Sequence, residues 1–401
     1  MSDATRRRAI VIGGSVGGLF AALILRRRGW NVDVFERVGT PLSGRGAGII
    51  THPELRLILE RLGLHTDRDF GIDIAERMTL GQDGSVLGVH ACPQVATSWE
   101  RVFRMLRHAL PDACYHHGAE LTAIESGPDG VTARFADGRE ARGDLLIGAD
   151  GVRSTVRRLM LGDVAPTYAG YVGWRGLLAE SAVPAALFSR FSFCLPPGEQ
   201  MLGYPVADEN NDLRPGHRRY NFIWYRPADA ARALPDLLTD TTGHTHAVSI
   251  PPPSIRPAVT AELRDAARRT LAPAFAAIVE AADQPFLQPI FDLELPRIAW
   301  DRVALLGDAA FVVRPHVGAG VTKAAEDAVS LSAALDTCHR LDDALAQYQA
   351  ERLPAGQRLV RRGRHLGAYM QAQLDTEEER QAASRHFTPE AVMAETALLD
   401  F

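Results

Sequence analysis

Lysine is almost missing from this chain: Lys323 is the only one in 401 residues. Arginine carries nearly all the positive charge, a bias better explained by coding composition than by function. There is no surplus of positive charge either. The formal net charge is −5, which argues against a nucleic-acid partner by bulk electrostatics. Cysteine is scarce and scattered over Cys92, Cys114, Cys194 and Cys338. No C-x-x-C pair or cysteine–histidine ligand spacing occurs, so no metal site is expected, and reduced thiols in the cytoplasm are the default. No apolar run approaches the roughly 20 residues of a membrane span. Arg6, Arg7 and Arg8 precede apolar residues as in an export leader. Glycines interrupt that run, however, and Arg26–Arg28 follow it where a cleavage site would need small residues. The histidine pairs His116–His117 and His244/His246, and the cluster Arg361, Arg362 and Arg364, read as solvated surface.

What is present is a hydrophobic fraction of 46% and a charged fraction of 23%, the balance of a globular chain long enough for two domains. The most informative stretch runs from Arg6 to Arg37. Ala9–Ile12 reads as a short apolar strand, Gly13–Gly18 as a tight turn, and Leu19–Leu25 as a helix closed by Arg26–Arg28 and Gly29. Val32 and Val34 alternate in a second strand ending at Glu36. A helix start carries unpaired amides and partial positive charge, so it can hold a pyrophosphate if side chains leave room. Gly13, Ser15 and Gly18 occupy the G-x-G-x-x-G positions, with serine replacing the middle glycine and offering a hydroxyl to phosphate. Glu36 follows Gly18 by 18 residues, near the spacing of about 20 for an acid that binds an adenosine ribose. The alternative is a structural βαβ unit without nucleotide.

Further along, Pro53–Leu62 reads as an amphipathic helix and Met78–His90 as a hairpin turning at Asp83–Gly84. Ser98–Leu110 returns to helix; Leu121–Ile124, Val131–Phe135 and Gly143–Ile147 read as strands. The last leads into Asp150-Gly151 and a helix near Ser154, a strand end facing a helix start. From Tyr168 to about Pro289 the chain is rich in aromatics and proline, strand-like first, then helical over Ala258–Ala282. A buried strand then ends at Gly307-Asp308, followed by Pro315-His316-Val317-Gly318-Ala319-Gly320 and another helix. Asp308 is placed to accept hydrogen bonds from a polyol. Gly318 and Gly320 expose backbone at that helix start.

In this order, these three motifs resemble the single-component flavoprotein aromatic hydroxylases, the para-hydroxybenzoate hydroxylase-like monooxygenases. The resemblance covers about the first 360 residues. Pro41-Leu-Ser-Gly44, Tyr168–Gly176 and Arg314-Pro-His316 look most like the dihydroxypyridine hydroxylases. It implies an α/β fold: a Rossmann-like FAD-binding domain (1–77, 98–167, 290–360), a β-rich substrate domain (hairpin 78–97, then 168–289) and C-terminal helices (361–401). Gly13, Ser15, Gly18, Glu36 and Arg37 would hold the FAD pyrophosphate and adenosine. Asp150 is linked to the cofactor, Asp308 would bind the ribitol or pyrophosphate region, and Gly318, Gly320, Val321 and Thr322 would face the flavin. Arg45, in a glycine-rich bend, suits a phosphate or the flavin edge, or else is a solvated loop arginine. Trp99 stands where the family often has an arginine that touches FAD.

The activity implied is hydroxylation of an electron-rich ring, expected to be a hydroxylated pyridine or similar N-heteroaromatic. FAD would be tightly but non-covalently bound. NADH or NADPH would be a transient co-substrate, and O2 would react through a flavin C4a-hydroperoxide. His52, Tyr204, Tyr225 and His316 are the candidates around the ring; each also has a plain structural role open to it. A homodimer is expected from the family. A tailoring hydroxylase or epoxidase for larger polyketide-like substrates, and a non-enzymatic lipid-escort protein of the same fold, are the alternatives.

Overall fold

The computed structural model describes residues 7–40, 42, 48–66, 70–208 and 210–399. The strand Arg8–Ile12 lies at the centre of a six-stranded sheet. It runs parallel to Asn31–Phe35 on one side and to Leu145–Gly148 on the other. Val303–Leu305 extends the sheet parallel to Leu145–Gly148. The chain thus leaves the central strand to one side and returns on the other, which opens a crevice at the strands' C-terminal ends. The helix Val16–Arg27 covers one face and packs against the helix Gly320–Thr337. Gly17 permits that approach: a Cβ there would lie 3.2 Å from Leu306 and 3.5 Å from Ala324.

An eight-stranded mixed sheet forms the second layer, and alternation sorts its side chains. Along Arg219–Pro227, Tyr220, Phe222 and Trp224 enter a core with the helices Pro257–Thr270 and Pro273–Ala281. Ile223 and Tyr225 enter a different cluster, on the face that holds Tyr171, Leu202 and Tyr204. A three-stranded sheet, Leu121–Gly127, Gly130–Phe135 and Glu140–Gly143, completes the β structure.

Several sequence expectations are corrected. The run Ala258–Ala282 is two helices, broken at Leu271-Ala272 because Pro273 opens the second. The expected strand Gly143–Ile147 is the end of one strand and the start of another in a different sheet, divided at Asp144. The hairpin is longer than expected, with strands Ile72–Leu80 and Val86–Ser98, and Gly48–Thr51 pairs onto it. Two of the three tail arginines do not belong to a solvated face. Arg364 pairs with Asp292 at 2.8 Å and with Glu294, and Arg362 pairs with Glu395 at 2.9 Å. The tail itself forms the helices Glu377–His386 and Pro389–Glu395, and the Ala397 amide donates to the His316 carbonyl at 2.7 Å. Among the described residues, no helix is long and apolar enough to cross a membrane.

Candidate active site

At the crevice lies an elongated cleft of about 490 Å³, walled by Gly13, Ser15, Glu36, Asp150, Asp308 and Gly320 among others. Two helix starts without a side-chain cap open on it. Ser15 is the N-cap of Val16–Arg27, and its hydroxyl makes no capping bond. Gly320 begins the helix Gly320–Thr337, which also has no side-chain cap. Both leave amide donors for an anionic ligand. The glycines divide into two kinds. A Cβ on Gly13 would lie 2.3 Å from the Ala149 carbonyl oxygen, and one on Gly18 1.9 Å from the Gly13 carbonyl oxygen. The protein's own packing therefore demands these two. A Cβ on Gly320 would meet no atom of the described residues within 4 Å beyond its own helix and chain neighbours, so that position is open to a ligand.

Glu36 is buried at the end of its strand. Its carboxylate accepts from the Gly14 amide at 2.8 Å and the Val38 amide at 2.9 Å, which fixes it at the cleft wall. Arg37 is exposed at the rim, and Arg45 lies outside the described residues. Asp150 has a structural task as well. It accepts from the Ser154 hydroxyl at 2.5 Å and from the Thr155 and Val156 amides at 2.6 and 3.0 Å, so it holds the start of the helix Thr155–Leu161. Burial pushes its carboxyl upward despite those bonds. Asp308 is about half exposed, with its carboxylate 3.7 Å from the Lys323 ammonium.

Three residues that the sequence does not assign to the site fix the turn that carries Asp308. Lys323 is buried and donates to the Phe311 carbonyl at 2.8 Å. Asp327 accepts from the Gly307 amide at 2.9 Å and from Arg352 at 2.7 Å. Arg157 donates to the Ala309 carbonyl at 3.1 Å. Their signals were a lone lysine after a glycine-rich loop and an acid within an apolar helix.

The ring candidates lie behind the cleft rather than in its wall. His316 shares a 2.7 Å hydrogen bond with the Tyr171 hydroxyl, and its ring centroid lies 4.5 Å from that of Tyr225. Burial, aided by Arg314, lowers the His316 pKa to about 3, so the imidazole is neutral. Its Nδ1 has no partner among the described residues. Burial pushes the Tyr225 phenol far upward and the Tyr204 phenol to about 12. Tyr204 donates to the Gly48 carbonyl at 2.8 Å. His52 precedes the helix Pro53–Arg61 and pairs with the Thr322 hydroxyl at 3.1 Å, so Thr322 ties two helix starts together. Val321 does line the cleft. Gly318 does not; it adopts φ +67°, and a Cβ there would meet Ala397 at 2.8 Å. Trp99 lines the cleft and stacks on Phe103 with centroids 4.9 Å apart. Asn221 was also missed: it is fully buried with both amide atoms unpaired among the described residues. Its signal was one polar residue within the strand Tyr-Asn-Phe-Ile-Trp-Tyr.

A crevice at parallel strand ends, two uncapped helix starts and an acid closing the second strand define a dinucleotide-binding flavoprotein fold. A family model described as FAD binding domain matches residues 6–195 and 295–363, and one described as FAD binding domain-like matches residues 168–292. The chain belongs to this FAD-binding family. It is 32% identical over 379 residues to 2,6-dihydroxypyridine 3-monooxygenase of Paenarthrobacter nicotinovorans, covering 92% of this chain and 93% of that one. It is 33% identical to 3-amino-4-hydroxybenzoate 2-monooxygenase of Streptomyces cremeus, covering 90% and 86%. The solved 2,6-dihydroxypyridine-3-hydroxylase from Arthrobacter nicotinovorans superposes with a TM-score of 0.86 at 31% identity, over 94% of this chain and 96% of that one. A Klebsiella pneumoniae protein, HpxO, solved with FAD and uric acid, superposes with a TM-score of 0.75 at 25% identity, over 97% and 95%. The protein is an FAD-dependent monooxygenase. The residues present fit the cofactor: the open approach at Gly320, the unbonded Ser15 hydroxyl and the fixed Glu36 carboxylate all face one cleft.

Proposed function

We propose that the protein hydroxylates a hydroxylated N-heteroaromatic ring of the dihydroxypyridine kind. One ring C–H becomes C–OH; the second oxygen atom of O2 leaves as water, with two electrons from NADH or NADPH. FAD, when bound, relays those electrons to oxygen and makes one oxygen atom electrophilic. The observation that carries the reading is the position of the loop from His316 to Gly320. Its far end opens on the cofactor cleft, and its near end touches Tyr171 and Tyr225 of the large sheet. The ring would therefore lie between that sheet and the cofactor.

The chain's own residues then have definite tasks. Ser15 and the helix starts bind the pyrophosphate, Glu36 the adenosine ribose, and Asp308 the polyol chain. Leu202, Ile223 and Tyr225 form a dry wall that keeps water from the reacting atoms. Neutral His316, held by Tyr171, offers a hydrogen bond without adding charge. The relatives act, by their names, on rings bearing a hydroxyl group, which supplies the electron density that electrophilic attack needs. A cytoplasmic setting, where reduced nicotinamide is supplied, and a homodimer complete the proposal.

The test is NAD(P)H consumption in air by the FAD-loaded protein, with 2,6-dihydroxypyridine and a panel of simple phenols. Faster consumption, together with a product one oxygen heavier by mass, is expected with the pyridine. A loaded enzyme that ignores every hydroxypyridine would overturn the reading.

A further inference from the structure

Asn221 is the polar exception on the inner face of the large sheet. Pairing between Gln200–Val206 and Arg219–Pro227 sets Tyr204 beside Asn221, Leu202 beside Ile223, and Gln200 beside Tyr225. Opposed residues share a face. At one end of this strip Tyr204 bonds to Gly48, and at the other Tyr225 reaches His316, whose loop opens on the cofactor cleft at Gly320. Asn221 is 0% exposed, yet neither its amide oxygen nor its amide nitrogen has a partner among the described residues. The Gln200 amide oxygen, also buried, is unpaired as well. Buried polar groups are nearly always satisfied, and leaving one unpaired costs free energy. An amide kept unpaired on this face implies a partner that arrives from outside.

The chemistry of that partner follows from the amide itself. Its oxygen accepts and its NH2 donates, side by side in one plane. The complement is a donor next to an acceptor, also coplanar. A cis-lactam has that edge: a ring N–H beside a ring carbonyl. A phenol presents one hydroxyl and can satisfy only one of the two atoms. We infer that Asn221 is the residue that selects the lactam (pyridone) tautomer of a hydroxypyridine, holding its N–H and C=O edge while the ring lies over Leu202 and Ile223. Gln200 then accepts from a donor on the opposite side of the ring. The inference rests on the function proposed above and narrows it from hydroxylated ring to lactam.

Calorimetric titration of the FAD-loaded protein, without NAD(P)H, separates the two ideas. The ligands are 2,6-dihydroxypyridine and resorcinol, which share a hydroxyl pattern and differ in the ring nitrogen. The wild type is expected to prefer the pyridine. In Asn221→Leu the pyridine Kd should rise by about 10- to 100-fold, as for two lost hydrogen bonds, the resorcinol Kd by about tenfold or less, as for one, and FAD affinity should be unchanged. The same variant without ring ligand should melt at a higher temperature, since an apolar side chain replaces an unpaired amide. An unchanged pyridine preference in Asn221→Leu, or a lower melting temperature, would overturn the assignment of Asn221 and leave the proposed function standing. A wild type that binds no pyridine would remove both.

Discussion

The only lysine of the chain, Lys323, lies buried with its ammonium 3.7 Å from the half-exposed carboxylate of Asp308. The ammonium is anchored independently by the Phe311 carbonyl. Asp308 therefore meets the cleft with a fixed cation behind it, while its exposed side remains available to hydroxyl groups of a ligand.

Asp308→Ala should weaken FAD binding about tenfold or more, as for a lost charge-assisted hydrogen bond, with little change in the melting temperature of the FAD-free protein. Lys323→Met should do both, because the Phe311 carbonyl loses its side-chain donor; a destabilisation of about 1–3 kcal/mol is expected. Flavin fluorescence titration and denaturant unfolding check the pair. Full FAD affinity in Asp308→Ala would remove that residue from the site.

The two kinds of glycine give opposite expectations. Gly320→Ala adds a methyl group that no atom of the described residues outside its own helix opposes, so the fold should be unaffected or slightly more stable, by less than about 1 kcal/mol. FAD affinity should nonetheless fall, because the methyl group enters the space of the ligand. Gly18→Ala should instead fail at the level of folding, since its Cβ would sit 1.9 Å from the Gly13 carbonyl oxygen. Measuring unfolding and FAD affinity on both variants distinguishes packing from binding. Equal FAD affinity in Gly320→Ala and the wild type would place the cofactor elsewhere.

His316 makes a prediction about pH. Its folded pKa, lowered by burial to about 3, is well below the roughly 6.5 of an unfolded histidine. Between those values the unfolded chain binds the extra proton, so stability contributed by the neutral ring is present above about pH 6.5 and is lost as pH falls toward 3. His316→Asn should flatten the acid side of the melting-temperature profile relative to the wild type. Identical slopes between pH 4 and 6.5 would show that the ring protonates without penalty.

The parts of this architecture legible in the sequence are those whose partners are close along the chain. The glycine turn, Glu36 and the Gly307-Asp308 segment each combine a strand end, a turn and a helix start within a few tens of residues. What was not legible depends on distant pairing. Arg364 looked solvated because its partner Asp292 lies on another segment, 72 residues earlier. The roles of Lys323 and Asp327 follow from bonds to a turn that sequence places before them without showing that it folds back. For Tyr204 and Tyr225, the sequence leaves both a place at the ring and a place in the core open; which face they take depends on strand register, which also places Asn221 among them. The break at Leu271-Ala272 was signalled by Pro273 and obscured by the apolar run around it.

The solitary buried amine also makes this protein a natural reporter of its own opening. Lys323 carries the only primary amine among its side chains, so a stable amide from an amine-selective acylating reagent forms there only when the Gly307–Phe311 turn lifts away from the helix beneath it. The rate of that single modification, followed by mass with and without FAD, would count openings of the cofactor cradle directly, in a molecule that needs no engineered label.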